Sequence, residues 1–233
     1  MAAAWSPPIR PALYAENTLI AAILNGEFPP GSTLPAEREL ALRLGVTRPT
    51  LREALQRMQR DGWLDIQQGK PTHVNDIWVS GGLNVLSALV HSDQPLPADF
   101  VPNLLSVRQV LAPEYTCAAV QNNPQQLLDF LKDLPAPQAA PAEYASFDWR
   151  LHHILTIASG NPIYTLILNG FAGFYEQMAQ RYFHREEARQ ASRAFYIALQ
   201  ASIKAGNPAQ AQAVTRRVME DSLKLWQASR TNK

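Results

Sequence analysis

A mainly α-helical chain in two domains is predicted by three observations. Apolar residues recur at helical spacing along most of the 233 residues, a hairpin signal occurs once, around Gly69, and proline or glycine punctuation cuts the remainder of the chain into short amphipathic segments. A chain of this length can bury its core as one large domain or as two of ordinary size, and two is the better expectation. Composition agrees, because 46% apolar and 18% charged residues is the balance of a soluble globular protein, with disorder expected only at the ends.

The first helix is expected from about Leu13 to Leu24, where Leu13, Leu19, Ile20, Ile23 and Leu24 fall mostly on one stripe, and Gly26 with the Pro29-Pro30-Gly31 turn ends it. Pro35 sits where a second helix can begin without losing a needed N–H, Leu40 and Leu44 give that helix an inward face, and Gly45 stops it. Thr47 can cap a third helix with its hydroxyl, Pro49 lies in the first turn, and Thr50 with Glu53 offers an alternative capping pair. Along this helix, from Thr47 to Arg60, the apolar Leu51, Ala54, Leu55 and Met58 repeat at three and four, which leaves Arg48, Arg52, Gln56 and Gln59 on the outer faces. Trp63-Leu64-Asp65-Ile66 and Thr72-His73-Val74 then read as two short strands joined by Gln67-Gln68-Gly69-Lys70-Pro71, a small β-hairpin wing. The order helix, helix, turn, helix, hairpin is that of a winged helix-turn-helix, assigned to residues 9–77.

Beyond a connecting segment from Asp76 to Gly82, residues 78–233 read as an all-α effector domain. Breaks at Gln94-Pro95-Leu96-Pro97, Asn123-Pro124, Pro135-Ala136-Pro137, Gly160-Asn161-Pro162 and Gly206-Asn207-Pro208 divide it into about six or seven helices. Loops this short favour an antiparallel bundle, whose interior is a natural small-molecule site.

Several classes are disfavoured. A single cysteine, Cys117, cannot form an intrachain disulfide, and no Cys/His spacing suits structural zinc, so a reducing cytoplasm is expected and no metal. The opening Met1 to Pro8 lacks the charge and apolar run of a signal peptide and reads as a short flexible arm. The apolar window from Ile154 to Tyr175 is cut by Ser159-Gly160-Asn161-Pro162, which points to buried helices rather than a membrane span. Nor is there a Gly-x-Ser-x-Gly elbow, a phosphate-cradling glycine loop or a cysteine set beside a base, so an enzyme is not expected.

Net charge is only +1, yet Arg43, Arg48, Arg52, Arg57 and Arg60 face the single acid Glu53 between residues 43 and 60. Duplex affinity comes from neutralised phosphates and sequence reading from groups that reach base edges. Arg48 and Arg52, one turn apart near the start of the third helix, are suited to grip guanine bidentately. Thr47 and Thr50 can serve a phosphate or a thymine methyl, Arg38 the backbone, and the wing tip Gln68 and Gly69 the minor groove. A bland reading, that the arginines merely solvate an exposed helix, weakens because they coincide with the helix-turn-helix register and a glycine-containing wing.

Phe28-Pro29-Pro30-Gly31, Leu34-Pro35-Ala36-Glu37-Arg38-Glu39-Leu40, Gly45-Val46-Thr47-Arg48 and Leu51-Arg52-Glu53-Ala54-Leu55 resemble the GntR family of bacterial regulators. Asp61-Gly62-Trp63-Leu64, Asn103-Leu104-Leu105-Ser106-Val107-Arg108 and Ser159-Gly160-Asn161-Pro162-Ile163-Tyr164 are similar to its fatty-acid-metabolism branch. The resemblance implies a homodimer that grips a palindromic operator and is released by a long-chain acyl-CoA, acting as a repressor of degradation genes and an activator of unsaturated fatty acid synthesis. It also implies that Arg38, Thr47, Arg48, Thr50, Arg52, Gln68 and Gly69 contact DNA, with Pro49 standing where the branch has threonine and Gln68 where it has histidine. For the acyl-CoA it implies Leu104, Arg108, His152, Tyr175, Tyr182, Met219, Ser222 and Trp226, with Arg108 suited to the pyrophosphate and Trp226 to an aromatic ring. Val218 and Met219 depart from the tyrosine and glycine of the branch. Without the resemblance, Tyr175 and Tyr182 would read as plain core, and Arg108 as a structural partner of Asp148 or Glu114.

The nearest rival is a metal-dependent regulator of the same family that senses a small carboxylate through an acid and three histidines. His152 matches one such position, but Tyr196 and Ser222 stand at the other two.

Overall fold

The computed structural model describes residues 10–91 and 97–231, so the arm expected over Met1 to Pro8 lies outside the described residues. Contacts divide the chain into two compact units that meet between residues 96 and 97.

In the first unit, α1 (Pro11–Leu24) packs chiefly on α3 (Arg48–Asp61), with α2 (Glu37–Leu44) beside it. Ala15, Leu19 and Ile23 of α1, Leu40 of α2 and Leu51, Ala54, Leu55 and Met58 of α3 are buried, as the spacing requires. α3 starts where the sequence places it. The Thr50 N–H donates to Thr47 Oγ1 at 3.3 Å, Pro49 occupies the first turn, and Gly62 ends the helix at φ 94°. Thr47 therefore does the capping, and Glu53 accepts instead from Arg57 Nη2 at 2.5 Å. Pro35, expected to open α2, precedes it by two residues, and Ala36 stands at the N-cap without a side-chain bond.

The wing is smaller than its apolar pattern suggests: β1 (Leu64–Asp65) and β2 (His73–Val74) pair antiparallel, Leu64 opposite Val74 and Asp65 opposite His73. A third segment extends it. The Leu34 N–H donates to Thr72 O at 2.9 Å, Val74 N–H to Ser32 O at 2.9 Å and Gly31 N–H to Val74 O at 2.8 Å, and Thr33 forms an isolated bridge with His73. These bonds satisfy backbone groups that a two-residue strand would leave open.

The connecting segment contains a one-turn helix, α4 (Ile77–Ser80), and leads into α5 (Leu83–His91). By contact both belong to the first unit, so the division falls well beyond the boundary expected at 77/78. The cause is a set of bonds to the end of α3. Asn75 Nδ2 donates to Gly62 O at 3.2 Å, the Gly82 N–H to Asp61 O at 3.2 Å and Asn84 Nδ2 to Asp61 Oδ1 at 2.9 Å. The approach is close enough that a Cβ at Gly62 would lie 2.3 Å from Ser80 O. Gly62→Ala is therefore expected to cost about 2 kcal/mol in urea denaturation, from the left-handed backbone and the collision together. A change below about 0.5 kcal/mol would mean that this contact is not held in solution.

The second unit comprises α6 (Phe100–Asn122), α7 (Pro124–Phe130), α8 (Pro141–Ala158), α9 (Pro162–Asn169), α10 (Ala172–Phe183), α11 (Glu186–Lys204) and α12 (Pro208–Thr231). With α5, eight helices follow Gly82 among the described residues rather than six or seven, because α9 and α10 separate at Gly170-Phe171, where no proline marks the break. α12 packs most extensively on α6, and α8 lies between α6 and α10. The core gathers Tyr144, Leu151, Leu155, Phe183, Tyr196 and Leu199. The helices are not uniformly antiparallel. Arg108 meets Asp148, Tyr115 meets His152 and Asn122 meets Ser159, so α6 and α8 run in the same direction, with short α7 and its loops returning the chain. The apolar window from Ile154 to Tyr175 is spread over α8, α9 and α10, and among the described residues no helix is long and apolar enough to cross a membrane.

Candidate functional site

Two regions carry the residues singled out in the sequence, one in each unit. On the first unit, Arg38 and Arg48 are exposed and, among the described residues, have no carboxylate partner. Arg52 is exposed too, but its Nε donates to Glu37 Oε2 at 2.7 Å, which ties α3 to α2. Arg43 pairs with Glu39, Arg57 with Glu53 and Glu16, and Arg60 with Asp61. The five arginines are thus not equivalent, and among the described residues Arg48 is the one of them without a carboxylate partner. Thr47 and Thr50 are engaged with each other, their hydroxyls 2.8 Å apart. Gln68 and Gly69 are exposed at the wing turn, Gly69 with φ 76°. Beside them Lys70, which the sequence reading passed over, reaches Gln67 Oε1 at 2.8 Å and supplies a cation at the tip.

Within the second unit α6, α8, α9, α10, α11 and α12 surround a cavity that opens to solvent, with about 1070 Å³ of empty space when the open solvent at its mouth is counted. Its lining is predominantly apolar: Leu104, Leu105 and Leu111 from α6, Ile167 and Leu168 from α9, Phe174 and Met178 from α10, and Phe195 from α11. Leu104, Arg108, Tyr175, Tyr182, Met219, Ser222 and Trp226 all line it, so the structure brings seven of the eight expected effector residues to one place. His152 is the exception. It is fully buried behind the wall, its Nδ1 2.7 Å from the Tyr115 hydroxyl.

The polar part of the wall is organised by Asp148, one turn before His152 on α8. Asp148 accepts from Arg108 Nη2 at 3.4 Å, from the Tyr175 hydroxyl and from the Tyr196 hydroxyl at 2.9 Å. Arg108 also stacks over the Tyr175 ring, 5.4 Å from its centroid. Its side chain retains 22% exposure while that of Asp148 retains 9%, so the carboxylate is the more deeply held partner. Glu114, the other acid considered for Arg108, pairs instead with Gln212 and Arg216.

Electrostatics follow from that burial. Desolvation works against the Arg108 charge, but Tyr175 and Asp148 outweigh it and hold its pKa above the ordinary arginine value. Burial alone would raise Asp148. A charged His152 would oppose that, but burial and the nearby Arg108 push His152 down to about 4, leaving the ring neutral at neutral pH. Arg108 and the two tyrosine hydroxyls therefore hold Asp148 ionised, below the usual carboxylate range.

Farther along the wall the Tyr182 hydroxyl donates to Ser222 Oγ at 3.2 Å, while Ser222 donates within its helix to Val218 O at 2.7 Å. Met219 and Val218 are buried and fill that side of the cavity. Tyr196 and Ser222, which stand where the rival metal site needs histidines, bond to Asp148 and to Tyr182, and among the described residues no three His, Cys, Asp or Glu side chains gather. Such a donor set does not fit a metal ion, which wants three or four nitrogen, sulfur or carboxylate ligands.

Comparison with known proteins covers both regions. The model of bacterial regulatory proteins of the gntR family matches residues 11–74, and the model of the FadR C-terminal domain matches residues 75–232. A protein of Shewanella denitrificans called fatty acid metabolism regulator protein is 44% identical over 220 residues, covering 94% of this chain and 92% of that one. Its namesake in Shewanella frigidimarina is 42% identical with the same coverage. Among solved structures, the Listeria monocytogenes regulator Lar, described as controlling expression of the agr system, aligns with a TM-score of 0.58 at 16% identity, over 95% of this chain and 97% of that one. At that identity the likeness is one of fold.

Proposed function

Since the chain belongs to the GntR family of bacterial regulatory proteins and carries a FadR C-terminal domain, we propose that it controls fatty-acid genes from the cytoplasm, holding a palindromic operator as a homodimer and releasing it when long-chain acyl-CoA binds. As a member of that family it is a DNA-binding transcription regulator and not an enzyme. Residues 9–77 are the operator reader in this proposal and residues 78–233 the effector domain. The observation that carries the ligand assignment is the cavity in the second unit. Its apolar lining suits an alkyl chain better than a small carboxylate. The names of the Shewanella relatives support the same reading.

In the operator domain Arg48 is the base reader with least to give up, whereas Arg52 must first leave Glu37. Arg38, Thr47, Thr50 and the wing tip at Gln68 and Gly69 supply backbone and minor-groove contacts. A two-fold operator would present half-sites about 34 Å apart or a multiple of it, one per winged domain. Release requires only that the acyl-CoA bind the DNA-incompetent state more tightly than the competent one, and operator affinity falls by no more than that ratio. The segment from Asp76 to Gly82 is the element we assign to this change.

An operator titration with and without an eighteen-carbon acyl-CoA tests both halves. Saturating ligand is expected to weaken operator binding by about 5- to 150-fold, the usual span of such couplings. Binding that ignores the ligand would sink the sensing proposal, and no sequence-selective binding at all would sink the operator proposal.

A further inference from the structure

The outer face of α3 is not uniformly polar. Leu51, Ala54, Leu55 and Met58 are buried, and the helical repeat sets Pro49 almost diametrically opposite the middle of that stripe. Pro49 is exposed, with Arg52 and Glu53 exposed one turn farther along the same face. The residue that projects most directly away from the buried side, at the end of α3 assigned to the duplex, is therefore a ring of methylenes.

Hydrogen-bonding groups around that ring are mostly engaged. Pro49 has no N–H to give. The Thr50 N–H donates to Thr47 Oγ1 at 3.3 Å, the two threonine hydroxyls lie 2.8 Å apart, and the Leu51 N–H donates to Thr47 O at 2.9 Å. Among the described residues this leaves the Arg48 N–H as the open backbone donor of the first helical turn. A helix start with so few donors is a poor phosphate clamp. It offers a duplex the guanidinium of Arg48 and, next to it, an apolar surface. Against a phosphate, or against a base amino or carbonyl group, that surface would strip water from a polar atom and return no hydrogen bond. The apolar group that the major groove presents is the 5-methyl of thymine.

We propose that Pro49 is a specificity-determining residue that packs on the 5-methyl of a thymine beside the guanine gripped by Arg48, so that each operator half-site holds a thymine there. This rests on the operator-reading role of α3. Proline has no rotamer freedom to lose on burial, so little ordering opposes the contact. Because the contact is uncharged, it selects sequence without adding to the salt-dependent part of the affinity.

The test starts from duplexes that the full-length protein selects out of a random pool. Each thymine of the selected half-site is then replaced by deoxyuridine, which removes the methyl and leaves the pairing edge intact. For the unaltered protein, one such replacement is expected to weaken binding about fourfold, and about fifteenfold when made in both half-sites, the worth of one buried methyl each time. In Pro49→Ser the same replacement should change binding by less than about 1.5-fold, since the partner of the methyl is gone. Each comparison is a ratio between two duplexes on one protein, so incomplete folding of the variant cancels. An equal deoxyuridine penalty in Pro49→Ser and the unaltered protein would give the methyl to another side chain and overturn the proposal. So would an unaltered protein indifferent to every thymine in a clearly selected half-site. A pool from which no common sequence emerges would instead remove operator reading itself, and the role of Pro49 with it.

Discussion

Asp148→Ala is expected to destabilise the protein by about 3–5 kcal/mol, because it leaves Arg108 charged in the cavity wall without its counter-ion and takes the acceptor from two tyrosine hydroxyls. The loss should appear as a lower urea midpoint with little change in slope. A double variant separates this cause from simple loss of packing. Adding Arg108→Met removes the stranded charge and should restore more than half of the lost stability, since a paired ion and an apolar replacement of similar volume are often close in free energy. A single variant that loses less than about 1 kcal/mol would show that the Arg108 guanidinium reaches water when Asp148 is removed.

Acidification should act through a neighbouring group before Asp148 titrates. His152 has a lowered pKa of about 4 in the folded protein, against an ordinary value of about 6.5 in the unfolded chain. Below about pH 6.5 the unfolded state takes up a proton that the folded state refuses, so stability is complete above that value and drains away as pH falls toward 4. The window is worth about 3 kcal/mol at about 1.4 kcal/mol per pH unit. Asp148 has the opposite chemistry but the same direction of loss. Its pKa is depressed in the fold, so its contribution is present above the ordinary carboxylate range and disappears as pH falls through its folded value. Urea midpoints measured from pH 7 to 5 should therefore decline in the unaltered protein and stay nearly level in His152→Gln. Parallel declines in the two would assign the acid sensitivity to other groups.

The difference between what was legible in the sequence and what was not tracks the range of the interactions. α3 was readable to within a residue because its cap, its first-turn proline and its stop are all local, at Thr47, Pro49 and Gly62. The third segment of the wing was not, since Pro29-Pro30-Gly31 signals a turn and only the distant His73 makes a bridge partner of Thr33. Likewise the pattern of α6 and α8 identified two amphipathic helices but said nothing of their shared direction, which depends on how α7 and its loops return the chain. The cavity residues came from resemblance rather than periodicity. Tyr175 and Tyr182 are spaced as core residues are, and nothing local separates the two roles. The resemblance also set His152 among the effector residues, and the structure puts it one turn below Asp148 and out of the cavity. Asp148 itself escaped notice as a hub because its partners come from three other helices, α6, α10 and α11, far apart in the chain.

The bonds between the end of α3 and the segment after the wing bear on how this protein can be cut and rejoined. The family models meet between residues 74 and 75, which makes that point a tempting junction for grafting the operator reader onto another sensor. A chimera joined there would discard Asn75, Gly82 and Asn84, and with them the donors to Gly62 O, Asp61 O and Asp61 Oδ1. The recipient would have to provide equivalents for three acceptors and a backbone that tolerates close approach to Gly62. A transplant that carries residues 75–91 along keeps the clamp intact, so the portable module is longer than the sequence family that names it.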